Sequence, residues 1–315
     1  MRQSVGGVAT GIHSFIASRI GNETSAYEVL WYGSPGQIGN SAEVLEVKNT
    51  LSHQKCYHPV FLPEELQQGF YTQCCNSSIY PLFTGFCQHV HFTETSWQCY
   101  RRVNKIYASQ IAKEVEAGDV VWVNDYHFLL LPQYIRQLRK DISIGFFLHI
   151  PFPKVSELQH LPVTIQKEML SGMLGADLIG FHIDKYRENF SSAITRLLNC
   201  PSDQNEVLYR NRISKLRSFP MGIDFDRYQH AVQKGNSHWG GELVTGAKKV
   251  IKTFLSVDRL DYTKGIANKL WAYEVLLERF PSWQCKVKMV MIVAPSRTDI
   301  PENCALKEEI DELVA

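Results

Sequence analysis

The sequence lacks the features of a metal-binding, secreted or membrane-spanning chain. Its eight cysteines form no C-x-x-C pair, so a structural zinc site has no support from their spacing. No apolar run approaches the roughly 20 residues of a membrane-spanning helix, and the polar start Met1–Ser4 does not resemble a signal peptide. We therefore expect a cytoplasmic protein with reduced thiols, no metal and no contact with a membrane.

A strong charge of either sign is also missing. The 315 residues carry a net charge of +1, which argues against nucleic acid or an anionic lipid surface as the main partner. Hydrophobic residues make up 44% and charged residues 21% of the chain, as in ordinary globular proteins. The length indicates two domains, and no internal repeat or low-complexity segment is visible.

Short apolar runs alternate with helical patterns along most of the chain, which predicts parallel βαβ units and an α/β fold. The predicted strands are 30–31, 44–47, 60–62, 120–123, 144–149, 178–181, 249–256 and 287–294. The predicted helices are 8–16, 103–115, 129–138, 165–174, 186–198, 266–279 and 302–313. We expect one domain over residues 1–223, a polar connection over 224–247 and a partial second domain over 248–315. Roughly 70 residues are too few for a complete doubly wound domain.

The most informative stretch, residues 253–265, places Arg259 and Lys264 between the end of a predicted strand and the start of a helix. Doubly wound sheets bind phosphates at this position. The helix dipole and both side-chain charges would favour an anion there, and Gly265 would let it approach the backbone. A solvated turn with incidental charges is the alternative.

Four other segments carry motifs in the same order. They are 121–132 (VWVNDYHFLLLP), 145–153 (GFFLHIPFP), 175–182 (GADLIGFH) and 219–224 (FPMGID). With 253–265 they resemble the trehalose-6-phosphate synthase family of retaining glycosyltransferases, from about Gly6 to the last residue.

The resemblance implies the GT-B fold, in which two Rossmann-like domains face a cleft. It implies transfer of glucose from a nucleotide sugar, UDP-glucose, to glucose 6-phosphate, with retention of configuration and without a cofactor. The family also contains glucosylglycerol-phosphate synthases, which would use glycerol 3-phosphate as the acceptor.

On the donor side, the resemblance assigns the diphosphate to Arg259 and Lys264 and a glucose contact to His149. It also assigns Gly6 and Gly7 to a loop that covers the donor. No D-x-D signature suggests Mg²⁺ at the diphosphate, so the two cations would supply the positive charge directly. Without the resemblance, His149 reads as a structural histidine and the glycine pair as a turn.

On the acceptor side, the resemblance places Asp125 at the acceptor sugar, where it could also accept the hydroxyl proton. It assigns Tyr71 and Arg297 to the acceptor's phosphate, and Tyr80 stands where the family has a tryptophan. The alternatives are a helix cap for Asp125, core packing for the two tyrosines and a surface role for Arg297.

The sequence also departs from the family pattern. Besides Tyr80, Thr84 stands where the family usually has histidine, and Ser34 stands where it has a second tryptophan. These changes leave glycerol 3-phosphate open as the acceptor. We expect the chain to be a fragment, because the family starts earlier and continues well past Ala315. A noncatalytic sugar-phosphate-binding subunit, or an inactive fragment, is therefore a hypothesis of another class, and a homo-oligomer is possible.

Overall fold

A computed structural model describes residues 10–12, 14–16, 28–35, 44–45, 50, 56–203, 205–233, 252–296 and 300–314. The described residues up to Ile223 form one compact unit, and those from Asp224 onward form another. Both units are α/β with parallel strands, which confirms the predicted fold class.

The first unit is built on a five-stranded sheet of order β3-β4-β5-β7-β6, accompanied by a separate parallel pair, β1–β2. The strands are β1 Trp31–Gly33, β2 Tyr57–Pro59, β3 Val120–Asn124, β4 Ser143–Phe147, β5 Leu178–Phe181, β6 Glu206–Tyr209 and β7 Arg212–Ser218. All neighbours in the large sheet are parallel except the antiparallel hairpin β6–β7. The carboxyl ends of β3, β4 and β5 therefore lie along one edge of the sheet.

Four long helices connect or cover these strands: α1 Glu94–Glu114, α2 Leu131–Leu138, α3 Val163–Met173 and α4 Asp184–Leu198. The side chain of Thr93 caps α1, accepting a hydrogen bond from the Ser96 amide at 3.1 Å. Apolar side chains of β4 and β5, such as Phe146 and Phe181, are fully buried. Burial of these central strands therefore holds the carboxyl ends of the strands in place.

A π-helical segment, Gln68–Ile79, lies between the short helices Glu64–Gln67 and Tyr80–Phe83. The hydroxyls of Ser77 and Ser78 donate to the carbonyls of Thr72 and Gln73, five residues earlier, at 2.9 and 3.1 Å. These bonds fit the wider turn of a π-helix, a rare structure that is frequent at functional sites.

The second unit contains the parallel pair β8 Lys252–Arg259 and β9 Val287–Ala294. Its helices are α5 Phe225–Gln233, α6 Ile266–Arg279 and α7 Pro301–Val314. A small cluster of buried residues joins α6 and α7 below the end of β8: Leu260, Ile266, Ala267 and Leu306. This cluster supports the turn that carries Arg259 and Lys264.

Several predicted elements were wrong. Val44 and Leu45 are helical, although 44–47 was predicted as a strand; 46–47 lie outside the described residues. The strand predicted at 60–62 lies earlier, at Tyr57–Pro59. Among the described strands, β3 lies at the edge of the sheet, and its Val120 is 74% exposed although Val123 is buried; β3 is therefore not buried throughout, as its apolar residues had indicated. Helix α5 lies within the predicted connection 224–247, whose bounds stay a prediction.

Candidate active site

In the first unit, Asp125 and His149 come together at the carboxyl ends of β3 and β4. The Asp125 amide donates to the carbonyl of Phe147, the last residue of β4, at 2.8 Å. The His149 amide donates to Asp125 Oδ1 at 3.1 Å. Adjacent parallel strands thus bring two predicted site residues together, at the sheet edge where α/β proteins bind ligands.

Asp125 has an unusual backbone conformation, with φ 73° and ψ 172°. This region is populated almost only by glycine and costs a residue with a side chain about 1–3 kcal/mol. The Asp125 side chain makes no capping bond to the following turn, Tyr126–Phe128, so the helix-cap interpretation was wrong. The conformation instead holds the carboxylate against the His149 amide.

His149 is a mostly buried, neutral histidine. Burial lowers its pKa to about 4, and the nearby ring of His182 adds to the shift; the centroids of the two rings are 5.6 Å apart. The pKa of His182 is also lowered, chiefly by burial. His149 Nε2 lies 3.0 Å from Asn124 Oδ1. At neutral pH the ring can therefore exchange hydrogen bonds with a ligand without carrying a charge.

This shift predicts a pH dependence of stability. Below the ordinary histidine pKa of 6.5, the unfolded chain binds a proton that folded His149 does not bind until about pH 4. The free energy of unfolding should therefore fall as the pH is lowered from about 6.5 to 4. His149→Gln should reduce that decline in urea titrations, whereas exposed His160→Gln should not. Equal pH slopes for His149→Gln and the wild type would contradict the shift.

Tyr71 and Tyr80, both predicted at the acceptor, have different surroundings. Tyr71, on the π-helical segment, is 37% exposed and stacks on His127 with ring centroids 5.7 Å apart and planes 9° apart. Tyr80 is 5% exposed and lies against Tyr126 at a centroid distance of 5.7 Å. Tyr71 is therefore accessible to a ligand, whereas the Tyr80 ring belongs to the core.

In the second unit, a tight turn joins β8 to α6. Asp261 is 1% exposed, and its Oδ1 accepts hydrogen bonds from the Thr263 amide at 3.0 Å and the Thr263 hydroxyl at 2.7 Å. Gly265 has φ 59° and ψ 40° at the start of α6, a left-handed conformation that glycine adopts readily. This turn leads the chain directly into the positive end of the α6 dipole.

Near this turn, the carboxylate of Asp258 is held in an ion pair. Lys269 Nζ contacts Asp258 Oδ2 at 2.6 Å, and the Ser256 hydroxyl donates to the same oxygen. The Lys269 bond, followed by the Ser256 bond, lowers the pKa of Asp258. The pairing with Lys269 was missed from the sequence, because no local pattern links two residues eleven positions apart.

Arg259 and Lys264 are both exposed. Arg259 is 44% exposed, with one guanidinium nitrogen 3.7 Å from Asp261 Oδ2. Lys264 forms no ion pair with any residue that the structure describes. Lys264 also contributes at longer range to the lowered pKa of Asp258, but Lys269 is the direct partner of that carboxylate, so the charge of Lys264 can also act on an anion at the α6 N-terminus.

The remaining predicted site residues, Gly6, Gly7 and Arg297, lie outside the described residues.

Within the described ranges, no group of three or more histidine, cysteine, aspartate or glutamate side chains is arranged to hold a metal ion. None of the helices that the structure describes is long and apolar enough to cross a membrane. All eight cysteines are free thiols.

The chain is similar to known proteins over nearly its whole length. The profile of glycosyltransferase family 20 matches residues 2–315. The bifunctional trehalose-6-phosphate synthase/phosphatase of Thermoproteus tenax is 37% identical over 318 residues, which cover 100% of this chain and 43% of that protein. The UDP-forming alpha,alpha-trehalose-phosphate synthase of Emericella nidulans is 36% identical over 315 residues, covering 99% of this chain and 60% of that protein.

A solved structure shares the fold. The trehalose-6-phosphate protein of E. coli, determined with bound UDP-2-fluoro glucose, superposes with a TM-score of 0.82 at 25% identity. The match covers 99% of this chain and 67% of that one. The chain thus has the GT-B type of fold, and it spans about half the length of the curated relatives that it matches.

Proposed function

This chain belongs to glycosyltransferase family 20, and we propose that the protein containing it is an alpha,alpha-trehalose-phosphate synthase. It transfers glucose from UDP-glucose to glucose 6-phosphate, giving trehalose 6-phosphate with retention of configuration. The observation that carries this proposal is the β8–α6 turn. There, exposed Lys264 lies beside a helix N-terminus while the nearby carboxylate of Asp258 is compensated by Lys269.

Glucosyl transfer breaks the bond between the anomeric carbon and the phosphate oxygen of the donor, so negative charge develops on the departing diphosphate. Arg259, Lys264 and the first amides of α6 stabilise that charge, which supplies the electrostatic part of catalysis. The acceptor hydroxyl attacks the anomeric carbon on the face that the diphosphate leaves. Its proton passes to the leaving phosphate oxygen, so no carboxylate nucleophile is required.

Asp125 and His149 hold the sugars in this proposal. The Asp125 carboxylate, fixed by the His149 amide at 3.1 Å, accepts a hydrogen bond from an acceptor hydroxyl and orients it. His149 contacts the donor glucose as a neutral ring, and accessible Tyr71 meets the acceptor's phosphate. Orienting both sugars and excluding water favours transfer over hydrolysis of the donor.

The names of the relatives favour glucose 6-phosphate over glycerol 3-phosphate as the acceptor. Both reported curated relatives are named for making trehalose phosphate. Tyr80, one of the substitutions that kept glycerol 3-phosphate open, is buried against Tyr126. Its change from the family's tryptophan is therefore a change of core packing and does not itself indicate a different acceptor.

The assay that tests the function offers the protein UDP-glucose with either acceptor. With glucose 6-phosphate as the acceptor, we expect mass spectrometry to detect trehalose 6-phosphate and NMR to show an α,α linkage. With glycerol 3-phosphate as the acceptor, we expect little product. Reactions without an acceptor measure donor hydrolysis as the control. Glucosylglycerol phosphate as the main product would contradict the proposed acceptor.

Calorimetric titration of the same protein with UDP-glucose and glucose 6-phosphate separates the enzyme from a noncatalytic sensor. Binding of both ligands without turnover would favour the sensor or an inactive fragment.

Free thiols at all eight cysteines are consistent with our proposal that the protein works in the cytoplasm. Light scattering tests whether it forms a homo-oligomer.

A further inference from the structure

The side chain of Asn124 lies between the edge strand and the site histidine. Asn124 is the last residue of β3 and is in register with Phe147 of β4, two residues before His149. Its amide nitrogen Nδ2 donates to the Trp122 carbonyl at 3.3 Å. That bond orients the amide so that Oδ1 points towards the His149 ring, 3.0 Å from Nε2.

An amide oxygen can only accept a hydrogen bond, so His149 Nε2 must carry the proton of this contact. The ring is neutral at pH 7, and a neutral imidazole carries one proton. His149 Nδ1 therefore holds a lone pair. Nδ1 is buried and has no hydrogen-bond partner among the described residues, and leaving such an atom unpaired costs about 1–3 kcal/mol.

We propose that Asn124 is a positioning residue that holds His149 in its Nε2–H tautomer and fixes the orientation of the ring, with Nδ1 as the unprotonated nitrogen. That this ring lies beside a bound sugar rests on the proposed function. The tautomer itself does not, because it follows from the Asn124 and Trp122 contacts. Asn124 acts through His149 and requires no contact with the ligand.

The groups around His149 agree with this assignment. His182, from the end of β5, faces the ring at 5.6 Å and disfavours a second proton on it. The carboxylate of Asp125 receives the His149 backbone amide at 3.1 Å and so fixes the backbone from which the ring extends. Without Asn124, these described contacts would place the ring but would not select which nitrogen carries its proton.

The tautomer is measured by long-range ¹H–¹⁵N NMR of the ¹⁵N-histidine-labelled 315-residue chain at pH 7, with His149 assigned by His149→Gln. We expect the Nε2–H pattern in the wild type and a mixture of tautomers in Asn124→Ala. Asn124→Asp keeps an acceptor oxygen, so it should restore Nε2–H and raise the pKa of the ring. Asn189→Ala is the matched control, because it removes an asparagine bond to the Phe152 carbonyl (2.9 Å) elsewhere in the unit.

A wild-type ring with its proton on Nδ1 would overturn the proposal, even if Asn124→Ala did not fold. An unchanged tautomer in Asn124→Ala would overturn it as well. In the enzyme assay we expect Asn124→Ala to lower kcat/KM for the donor about tenfold and Asn124→Asp to recover activity at high pH. If the wild type shows the Nε2–H tautomer and no turnover, the proposed function fails while the role of Asn124 stands.

Discussion

Lys264→Ala should lower kcat about 100- to 1000-fold while leaving the affinity for the sugar-phosphate acceptor nearly unchanged. This is the usual effect of removing one group that stabilises charge in a transition state. Lys264 is suited to that role because it is exposed and has no ion pair among the described residues. Steady-state kinetics with each substrate varied in turn, together with calorimetric binding of glucose 6-phosphate, would measure both effects.

Two other lysines of the second unit make this test specific. Lys307 is exposed on α7 and pairs with Asp311, so Lys307→Ala should leave kcat unchanged. Lys269→Ala removes the partner of the partly buried Asp258 and should lower the unfolding midpoint, because an unpaired buried carboxylate is costly. Near-normal turnover in Lys264→Ala would show that this lysine does not neutralise the diphosphate.

Asp125→Gly and Asp125→Ala should both lose activity, but the glycine variant should be the more stable of the two, which is the reverse of the usual order. Each removes the carboxylate that orients the acceptor hydroxyl, and we expect kcat/KM to fall about 100-fold or more. Glycine accepts the backbone conformation at φ 73°, whereas alanine keeps its strain. We therefore expect the glycine variant to have the larger free energy of unfolding, by about 1 kcal/mol, in urea titrations.

The matched control is Gln98, exposed in the second turn of α1. There Gln98→Gly should be about 1 kcal/mol less stable than Gln98→Ala, the normal order in a helix. The reversal at Asp125 therefore isolates its backbone conformation from the general properties of glycine. If Asp125→Ala equals or exceeds Asp125→Gly in stability, the strain is absent, although the role of the carboxylate is unaffected.

The α/β class could be predicted from the sequence, because continuous apolar runs such as 144–149 and 178–181 are typical of strands that are buried on both faces of a sheet. The strand patterns also placed Asp125 just after the strand 120–123 and His149 at the end of the strand 144–149. They did not predict that β3 is at the edge of the described sheet, since edge position depends on which strands pair and not on the residues within one strand. The hairpin β6–β7 was not predicted, because only one of its two turn residues gives the usual signal: Asn211 at φ 62° is typical of such a turn, whereas Arg210 at φ 48° is not.

The polar partners in the site could not be predicted, since each depends on contacts between residues distant in sequence. The partner of Asp258 was not predicted, because Lys269, the fourth residue of α6, lies eleven positions further along the chain. The helix-cap reading of Asp125 followed residue preference and missed the bond from His149. For Gly6, Gly7 and Arg297, and for the place of both tyrosines at an acceptor, the assignments remain predictions.

The π-helical segment has a consequence for how such a site can diverge. Its hydrogen bonds span five residues where those of an α-helix span four, so deletion of one residue between Tyr71 and Asn76 would give α-helical spacing to the turn that spans the deletion. The side chains on the two sides of the deletion would then rotate relative to each other, which would change the side chain that lies beside His127. Insertions and deletions within Gln68–Ile79 could therefore change ligand preference during evolution, even where the types of residue in the segment stay the same.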